Sequence, residues 1–110
     1  MASTYNFPNH ESGDTFPGVT FTILVNGIAE NLIGSVVTAS FKMQTNPNII
    51  KYLTSTAGQI TVAAGGICVI VEQLISWPDG TYNYEIKFVL ATGKVKTYIT
   101  GTFEITNFNG

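Results

Sequence analysis

Residues 77–105 read WPDGTYNYEIKFVLATGKVKTYITGTFEI, and apolar side chains alternate with polar ones through most of this stretch. A period of two is typical of a β-strand with one buried face. A short break at Gly93 separates two alternating runs, so the stretch predicts a β-hairpin. The inward face of the first run is predicted to hold Tyr82, Tyr84, Ile86, Phe88 and Leu90. The inward face of the second run is predicted to hold Val95, Thr97, Ile99, Gly101, Phe103 and Ile105.

The rest of the chain adds shorter strand-like segments separated by turn residues. Asn26 and Gly27 form the dipeptide that most strongly indicates a hairpin turn. Residues 49–53 break the alternation and are predicted to form a single helical turn or an irregular loop. With the hairpin, about seven strands and no amphipathic helix are expected, which is typical of an immunoglobulin-like antiparallel β-sandwich. Strands are predicted over residues 19–25, with Val19, Phe21, Ile23 and Val25 inward, and over residues 37–43, 59–62 and 67–72, the last a central strand or one covered on both faces.

The length of 110 residues predicts one domain. We divide it into a polar N-terminal arm over residues 1–12, the sandwich over residues 13–106 and a short tail over residues 107–110. Tyr5 and Phe7 alternate within the arm, which permits either a short first strand or an arm docked on the sandwich.

Gly80 and Tyr82 stand at the start of the sixth predicted strand, in the sequence Gly-Thr-Tyr. This placement is typical of a tyrosine corner, in which the phenol hydrogen-bonds to the backbone a few residues upstream. Tyr84 then takes the position of the second cysteine of an immunoglobulin domain. The alternative is a core tyrosine without that bond.

The charge composition argues against nucleic acid as a partner. The net charge is −2, and all five basic residues are lysines. Nucleic-acid-binding domains usually carry a basic patch with arginines for bidentate phosphate contacts. Charged residues make up 11% of the chain and hydrophobic residues 45%, so we expect part of the surface to be covered by a partner. No signal peptide or membrane-spanning stretch is recognisable, and we expect synthesis in the cytoplasm.

The residue types that carry most protein chemistry are scarce. Cys68 is the single cysteine and lies in an apolar run, where it is expected to pack as a small hydrophobe. His10 is the single histidine and lies far from it in sequence. A catalytic thiol needs a histidine or another electropositive neighbour, so neither residue predicts catalysis or a zinc site.

The carboxylates fall in turn-like stretches. Glu11 lies near Asp14, and Glu72 lies near Asp79. A hydrolase of the paired-carboxylate type needs two such groups facing one cleft, and a calcium loop needs repeated oxygen ligands. Neither pattern is present, so we expect no enzyme, no metal and no cofactor.

Three aromatic residues are candidates for partner contacts, because Tyr and Trp dominate interface hot spots. They are Trp77, Tyr98 and Phe108. Tyr98 falls on the polar face of the last predicted strand, which favours a contact. Trp77 has an alternative, in which it packs over the end of the sandwich.

Six segments of the chain carry a resemblance to a known family. They are GDTF at 13–16, VTFTI at 19–23, NG at 26–27, LIGS at 32–35, PDGTYNY at 78–84 and KTYITGTFEI at 96–105. Together they resemble the small β-sandwich domains of tailed-phage virions, which include the N-terminal domain of baseplate upper proteins and related tail and head-fibre modules. The segment at 32–35 departs from the Leu-Thr-Gly-Ala typical of those domains.

The resemblance implies a non-enzymatic virion protein. Because no fibre, stalk or receptor-binding module follows in a sequence that ends at Gly110, we expect an auxiliary or decoration protein of the head. Its partners would be the major capsid protein, other virion proteins or further copies of itself. The first alternative is a tail, baseplate or fibre-attachment adaptor. The second is a carbohydrate- or cell-surface-binding module that uses Trp77 and Tyr98 as stacking platforms.

Overall fold

The structure is a computed structural model that describes residues 3–106. Within these residues the chain forms thirteen strands and no helix, which confirms the prediction of an all-β protein. In chain order the strands are β1 (Ser3–Thr4), β2 (His10–Glu11), β3 (Thr15–Phe16), β4 (Val19–Thr22), β5 (Leu24–Val25), β6 (Ile28–Ala29), β7 (Val36–Met43), β8 (Ile50–Thr54), β9 (Ile60–Ala63), β10 (Ile67–Ile70), β11 (Gln73–Leu74), β12 (Gly80–Val89) and β13 (Val95–Thr106).

The largest sheet is built around the predicted hairpin of β12 and β13. Its strand order is β1-β13-β12-β7-β8, and β2 also pairs with β13. The antiparallel register runs from Gly80 opposite Ile105 to Val89 opposite Val95. The alternation in the sequence therefore predicted both strands of the hairpin and their pairing.

A β-bulge in this hairpin changes which residues of β13 face the core. Ile86 pairs with Ile99 but Lys87 pairs with Thr97, so Tyr98 is an extra residue without a partner on β12. The alternation on β13 shifts at that point. Val95, which was predicted to face inward, is 59% exposed, and that prediction was wrong.

A second sheet has the order β4-β10-β9. β10 pairs with strands on both sides, as predicted for a central strand. Cys68 and Ile70 of β10 and Ile60 of β9 join the inward side chains of the larger sheet in one buried cluster. The remaining pairs, β3 with β11 and β5 with β6, are two-stranded. Burial of the apolar faces of both sheets in one cluster is the main source of stability.

Two predictions along the chain need correction. Residues 49–53 were predicted as a helical turn or a loop, but Ile50–Thr54 is a strand paired with β7. β8 is an edge strand, and Ile50 and Tyr52 on its outer face are exposed. Because apolar side chains lie on both faces of β8, its sequence does not alternate between apolar and polar residues. The strand predicted over 19–25 is divided in two: Val19–Thr22 pairs with β10, whereas Leu24 and Val25 pair with β6.

The N-terminal arm lies against β13. β1 and β2 run parallel to it, with Ser3 opposite Ile99 and Ile105 opposite His10. Phe7, between these two short strands, is buried. Both of the arrangements that the sequence permitted for the arm, a short strand and a docked segment, are present.

Candidate interaction surface

The β5–β6 hairpin presents apolar side chains to solvent at one end of the molecule. Asn26 and Gly27 both have positive φ, 54° and 78°, as a type I′ turn requires. The turn predicted from these two residues therefore forms. It holds Leu24 and Ile28 outward, where they are 57% and 72% exposed. Val25, which was predicted to face inward, is also exposed.

The loop after this hairpin adds another exposed apolar residue. Leu32 is fully buried and anchors the loop, and its carbonyl accepts a hydrogen bond from the amide of Ser35. The side-chain oxygen of Asn31 accepts a hydrogen bond of 3.1 Å from the amide of Ile33. This tight turn points Ile33 into solvent, where it is 58% exposed.

A row of exposed valines lies on the larger sheet, at the ends of β7, β12 and β13. Val89 is opposite Val95 on one side and opposite Val36 on the other, and all three are exposed. We call the whole area the apolar end. It consists of Leu24, Val25, Ile28, Ile33, Val36, Val89 and Val95. Clusters of exposed apolar side chains commonly mark interaction sites.

A cleft of about 490 Å³ opens beside the apolar end, between the β5–β6 hairpin and the turn that joins β12 to β13. Val25, Ile33 and Leu90 supply apolar walls, and Lys94 and Lys96 supply cations. Glu30 also lines the cleft, so its apolar walls are accompanied by two cations and one carboxylate. The cleft therefore suits a partner segment with an apolar anchor and an acidic neighbour.

Tyr98, one of the three predicted contact residues, lines this cleft. Its hydroxyl donates a hydrogen bond of 3.2 Å to a side-chain oxygen of Glu30, and its ring packs on Phe88 at 5.3 Å. Burial and the neighbouring Glu30 carboxylate raise the pKa of Tyr98 above its usual value. The bond to Glu30 and the packing on Phe88 hold Tyr98 in the wall of the cleft.

Trp77 lies away from Tyr98 and from this cleft. Its ring lies 4.9 Å from that of Phe41 and 5.7 Å from that of Tyr82. Tyr82 and Phe88, the neighbours of Trp77 and Tyr98, are six residues apart on β12, about 20 Å along the strand. The two aromatics thus lie towards opposite ends of the sheet, and Trp77 is half-buried against the core. Phe108 lies outside the described residues.

Gly80 and Tyr82 have the geometry of a tyrosine corner. The hydroxyl of Tyr82, which is fully buried, donates a hydrogen bond of 2.7 Å to the carbonyl oxygen of Pro78. Gly80 has φ 147°, and a Cβ there would lie 3.1 Å from the Cε of Met43. A side chain at this position would press on Met43 and disturb the start of β12.

Sequence reasoning missed the apolar end because it assigned Val25 and Val95 to the core and gave no exposed role to Leu24, Ile28 or Ile33. One signal was present. The two residues on each side of the turn are all apolar, so both faces of the hairpin carry apolar side chains. They are Leu24, Val25, Ile28 and Ala29. A two-stranded hairpin at the margin of a domain cannot bury both of its faces, so such a pattern indicates an exposed apolar surface.

Cys68 is a free cysteine with a buried side chain. Burial raises the pKa of the Cys68 thiol to about 12, so it carries almost no thiolate at neutral pH. Among the described residues no group of three or more His, Cys, Asp or Glu residues is arranged to hold a metal ion. Residues 3–106 also contain no helix of the length and hydrophobicity needed to cross a membrane.

Comparison of the chain with protein-family models, with curated proteins and with solved structures gave no match.

Proposed function

We propose that the two larger sheets form an immunoglobulin-like sandwich. In such folds one sheet has the strand order G-F-C-C′ and the other the order B-E-D. The order β13-β12-β7-β8 corresponds to the first and β4-β10-β9 to the second. The bond from Tyr82 to Pro78, at the start of the strand that corresponds to F, is a further point of agreement.

The protein acts, in this proposal, as a non-enzymatic structural component that binds other proteins through the apolar end. The exposure of Leu24, Ile28 and Ile33 on one small hairpin and its following loop carries the proposal. Charged residues make up only 11% of the chain, so few charges are available to keep such an apolar surface dispersed in water. Burying it against a partner removes apolar area from water, which favours association.

The partner class comes from the resemblance to tailed-phage virion domains, which rests on the six sequence segments. On that basis the protein is an auxiliary or decoration protein of the head, made in the host cytoplasm, and the apolar end contacts the major capsid protein or a neighbouring copy. A tail, baseplate or fibre-attachment adaptor would use the same surface and is the alternative within this class.

Quantitative mass spectrometry of purified virions tests the proposal. A copy number comparable with that of the major capsid protein is expected for a head protein. A copy number comparable with that of tail or baseplate proteins would favour the adaptor. Absence of the protein from purified particles would contradict both.

A carbohydrate-binding module is a second candidate, although its platform would differ from the predicted one. Trp77 and Tyr98 are separated and packed, whereas Tyr52 is 56% exposed on the outer face of the larger sheet. It lines a shallow cavity of about 320 Å³ with polar neighbours that include Asn83 and Glu85. Glycan-array binding that is lost in Tyr52→Ala and kept in Trp77→Ala would support this candidate, and no binding by the native protein would exclude it.

A further inference from the structure

The turn of the β5–β6 hairpin joins a side chain and a backbone amide that react with each other in asparagine chemistry. Asn26 is followed directly by Gly27, so attack of the Gly27 amide nitrogen on the side-chain carbon Cγ of Asn26 closes a succinimide ring. Glycine has no side chain to hinder that attack. A Cβ built at Gly27 would meet no atom within 4 Å, so the space around the attacking nitrogen is open.

The side chain of Asn26 is also less restrained than those of most other asparagines. Within residues 3–106, five asparagine side chains accept a hydrogen bond through their oxygen, and those of Asn26 and Asn48 do not. Asn48 is followed by the β-branched Ile49, which crowds its amide nitrogen. Asn26 therefore combines a side chain free to move with an unhindered amide after it. The five restrained residues are Asn6, Asn9, Asn31, Asn46 and Asn83.

The hairpin that holds this turn is small enough to open locally. β5 and β6 have two residues each and, in the described part of the chain, pair only with each other. A two-stranded ribbon is marginally stable by itself. All residues from Leu24 to Ala29 are exposed, so little apolar packing opposes opening. Opening frees the backbone of Asn26 to rotate, which brings the Gly27 nitrogen onto Cγ.

Water has access to the same place. Asn26 and Gly27 are both exposed, and a cavity of about 260 Å³ lies beside Asn26, between Leu24, Val25 and Tyr98. A succinimide formed here would meet solvent directly, so the water that hydrolyses it needs no path through the core.

We propose that Asn26 and Gly27 form a site of spontaneous deamidation. The Gly27 nitrogen loses its proton to hydroxide and bonds to Cγ of Asn26, the bond from Cγ to Nδ2 breaks, and ammonia leaves. Water then adds to one of the two carbonyls of the ring. Cleavage of the bond between nitrogen and Cγ gives aspartate, and cleavage of the bond between nitrogen and the main-chain carbonyl carbon gives isoaspartate.

The products alter the hairpin that carries part of the apolar end. Isoaspartate routes the main chain through Cβ and Cγ, which lengthens a two-residue turn that depends on φ values of 54° and 78°. The pairing of Val25 with Ile28 is then lost, and both products add a negative charge among apolar side chains. The site stands independently of the proposed function, whereas a loss of partner binding on ageing would rest on it.

Ageing of the purified full-length protein in heavy-oxygen water at mildly alkaline pH tests the site. Cleavage after lysine leaves Asn26 in the peptide 1–42, Asn48 in 43–51 and Asn109 in 97–110, and tandem mass spectrometry locates each converted residue. Hydrolysis in this solvent adds one heavy oxygen to every product. We expect conversion of Asn26 to be at least about tenfold faster than that of Asn48, since Gly27 lacks the branched side chain of Ile49. Equal rates at the two positions would overturn the proposal.

The control variant is Asn26→Gly, which cannot deamidate and keeps a dipeptide suited to a type I′ turn. Hydrogen exchange is followed at the amide of Glu30, which donates a bond of 2.9 Å to the carbonyl of Ile23 at the base of the hairpin. Exchange should quicken in the aged native protein and stay constant in the aged variant. Unchanged exchange after conversion of Asn26 would contradict the predicted effect on the hairpin. Neither measurement involves a partner, so failure here is distinct from failure of the proposed function.

Discussion

The hydroxyl of Tyr82 is buried and has the carbonyl of Pro78 as its hydrogen-bond acceptor. Tyr82→Phe would leave that carbonyl without its partner and lower the free energy of unfolding by about 1–2 kcal/mol. Urea denaturation measures the change. Tyr52→Phe, at an exposed site on the outer face, is the control and should leave the midpoint nearly unchanged. An equal midpoint for Tyr82→Phe and the native chain would show that the corner adds nothing to stability.

Cys68 makes the free energy of unfolding depend on pH in the alkaline range. Burial raises the pKa of its thiol from 9.0 to about 12, so the folded state holds the proton more tightly than the unfolded state does. The stability that this difference provides is present in full below pH 9 and is lost as the pH rises towards 12. We therefore expect the free energy of unfolding to begin to fall near pH 9.

The variant Cys68→Ala distinguishes the contribution of the thiol to the pH dependence of stability from that of the tyrosines. The pKa values of Tyr84 and Tyr98 are also raised above the usual 10.0, by burial first, so their contribution is lost only at higher pH. The variant should keep the decline above pH 10 and lose the part that begins near pH 9, as measured by urea denaturation across that range. Parallel pH profiles for the variant and the native chain would contradict this prediction.

At the scale of the element, the docked arm depends on Gly101. Gly101→Ala places a methyl group against the carbonyl of Tyr5 and should displace the arm, and with it the buried ring of Phe7. We expect faster hydrogen exchange at the amides of Tyr5 and Phe7. Gly58→Ala is the control, because Gly58 has positive φ and open space around it, so it adds backbone strain without touching the arm. Unchanged exchange in Gly101→Ala would mean that the arm does not need the glycine.

Elements with regular alternation were predictable from the sequence, and elements set by distant pairing were not. β12 and β7 alternate cleanly, and both form as strands. The bulge at Tyr98 depends on the register that β12 imposes on β13, which no local pattern encodes. The parallel pairing of the arm joins residues almost a whole chain length apart. The sequence permitted a short strand or a docked arm there, and it indicated neither the partner strand nor the direction.

The candidate surface was predictable only in part, for a related reason. Tyr98 lies at the cleft beside the apolar end, although its ring and hydroxyl are engaged by Phe88 and Glu30. Trp77 packs against the core instead, because the segment before β12 folds over Phe41 and Tyr82. The exposed apolar residues went unrecognised because hydrophobicity alone assigns a residue to the interior.

At the scale of the whole molecule, the described residues place an exposed apolar surface at one end of a body with principal extents of 44 × 24 × 23 Å. Low charge and an apolar end together favour a protein that is held by neighbours. Ile28 is the most exposed large apolar residue of this surface, at 72%. A change there should affect association and leave the fold intact, since its side chain is largely exposed.

For the proposed role in a virion, the most direct test compares the binding of Ile28→Asp and of the native chain to virus particles that lack the protein, at equal concentrations. Thr56→Asp, which adds the same charge to an exposed turn, is the control, and all three proteins should unfold within about 0.5 kcal/mol of one another. We predict at least about tenfold weaker binding for Ile28→Asp, because a carboxylate would be buried in an apolar contact, and native binding for Thr56→Asp. Native binding by a correctly folded Ile28→Asp would contradict the claim that the apolar end is the contact surface.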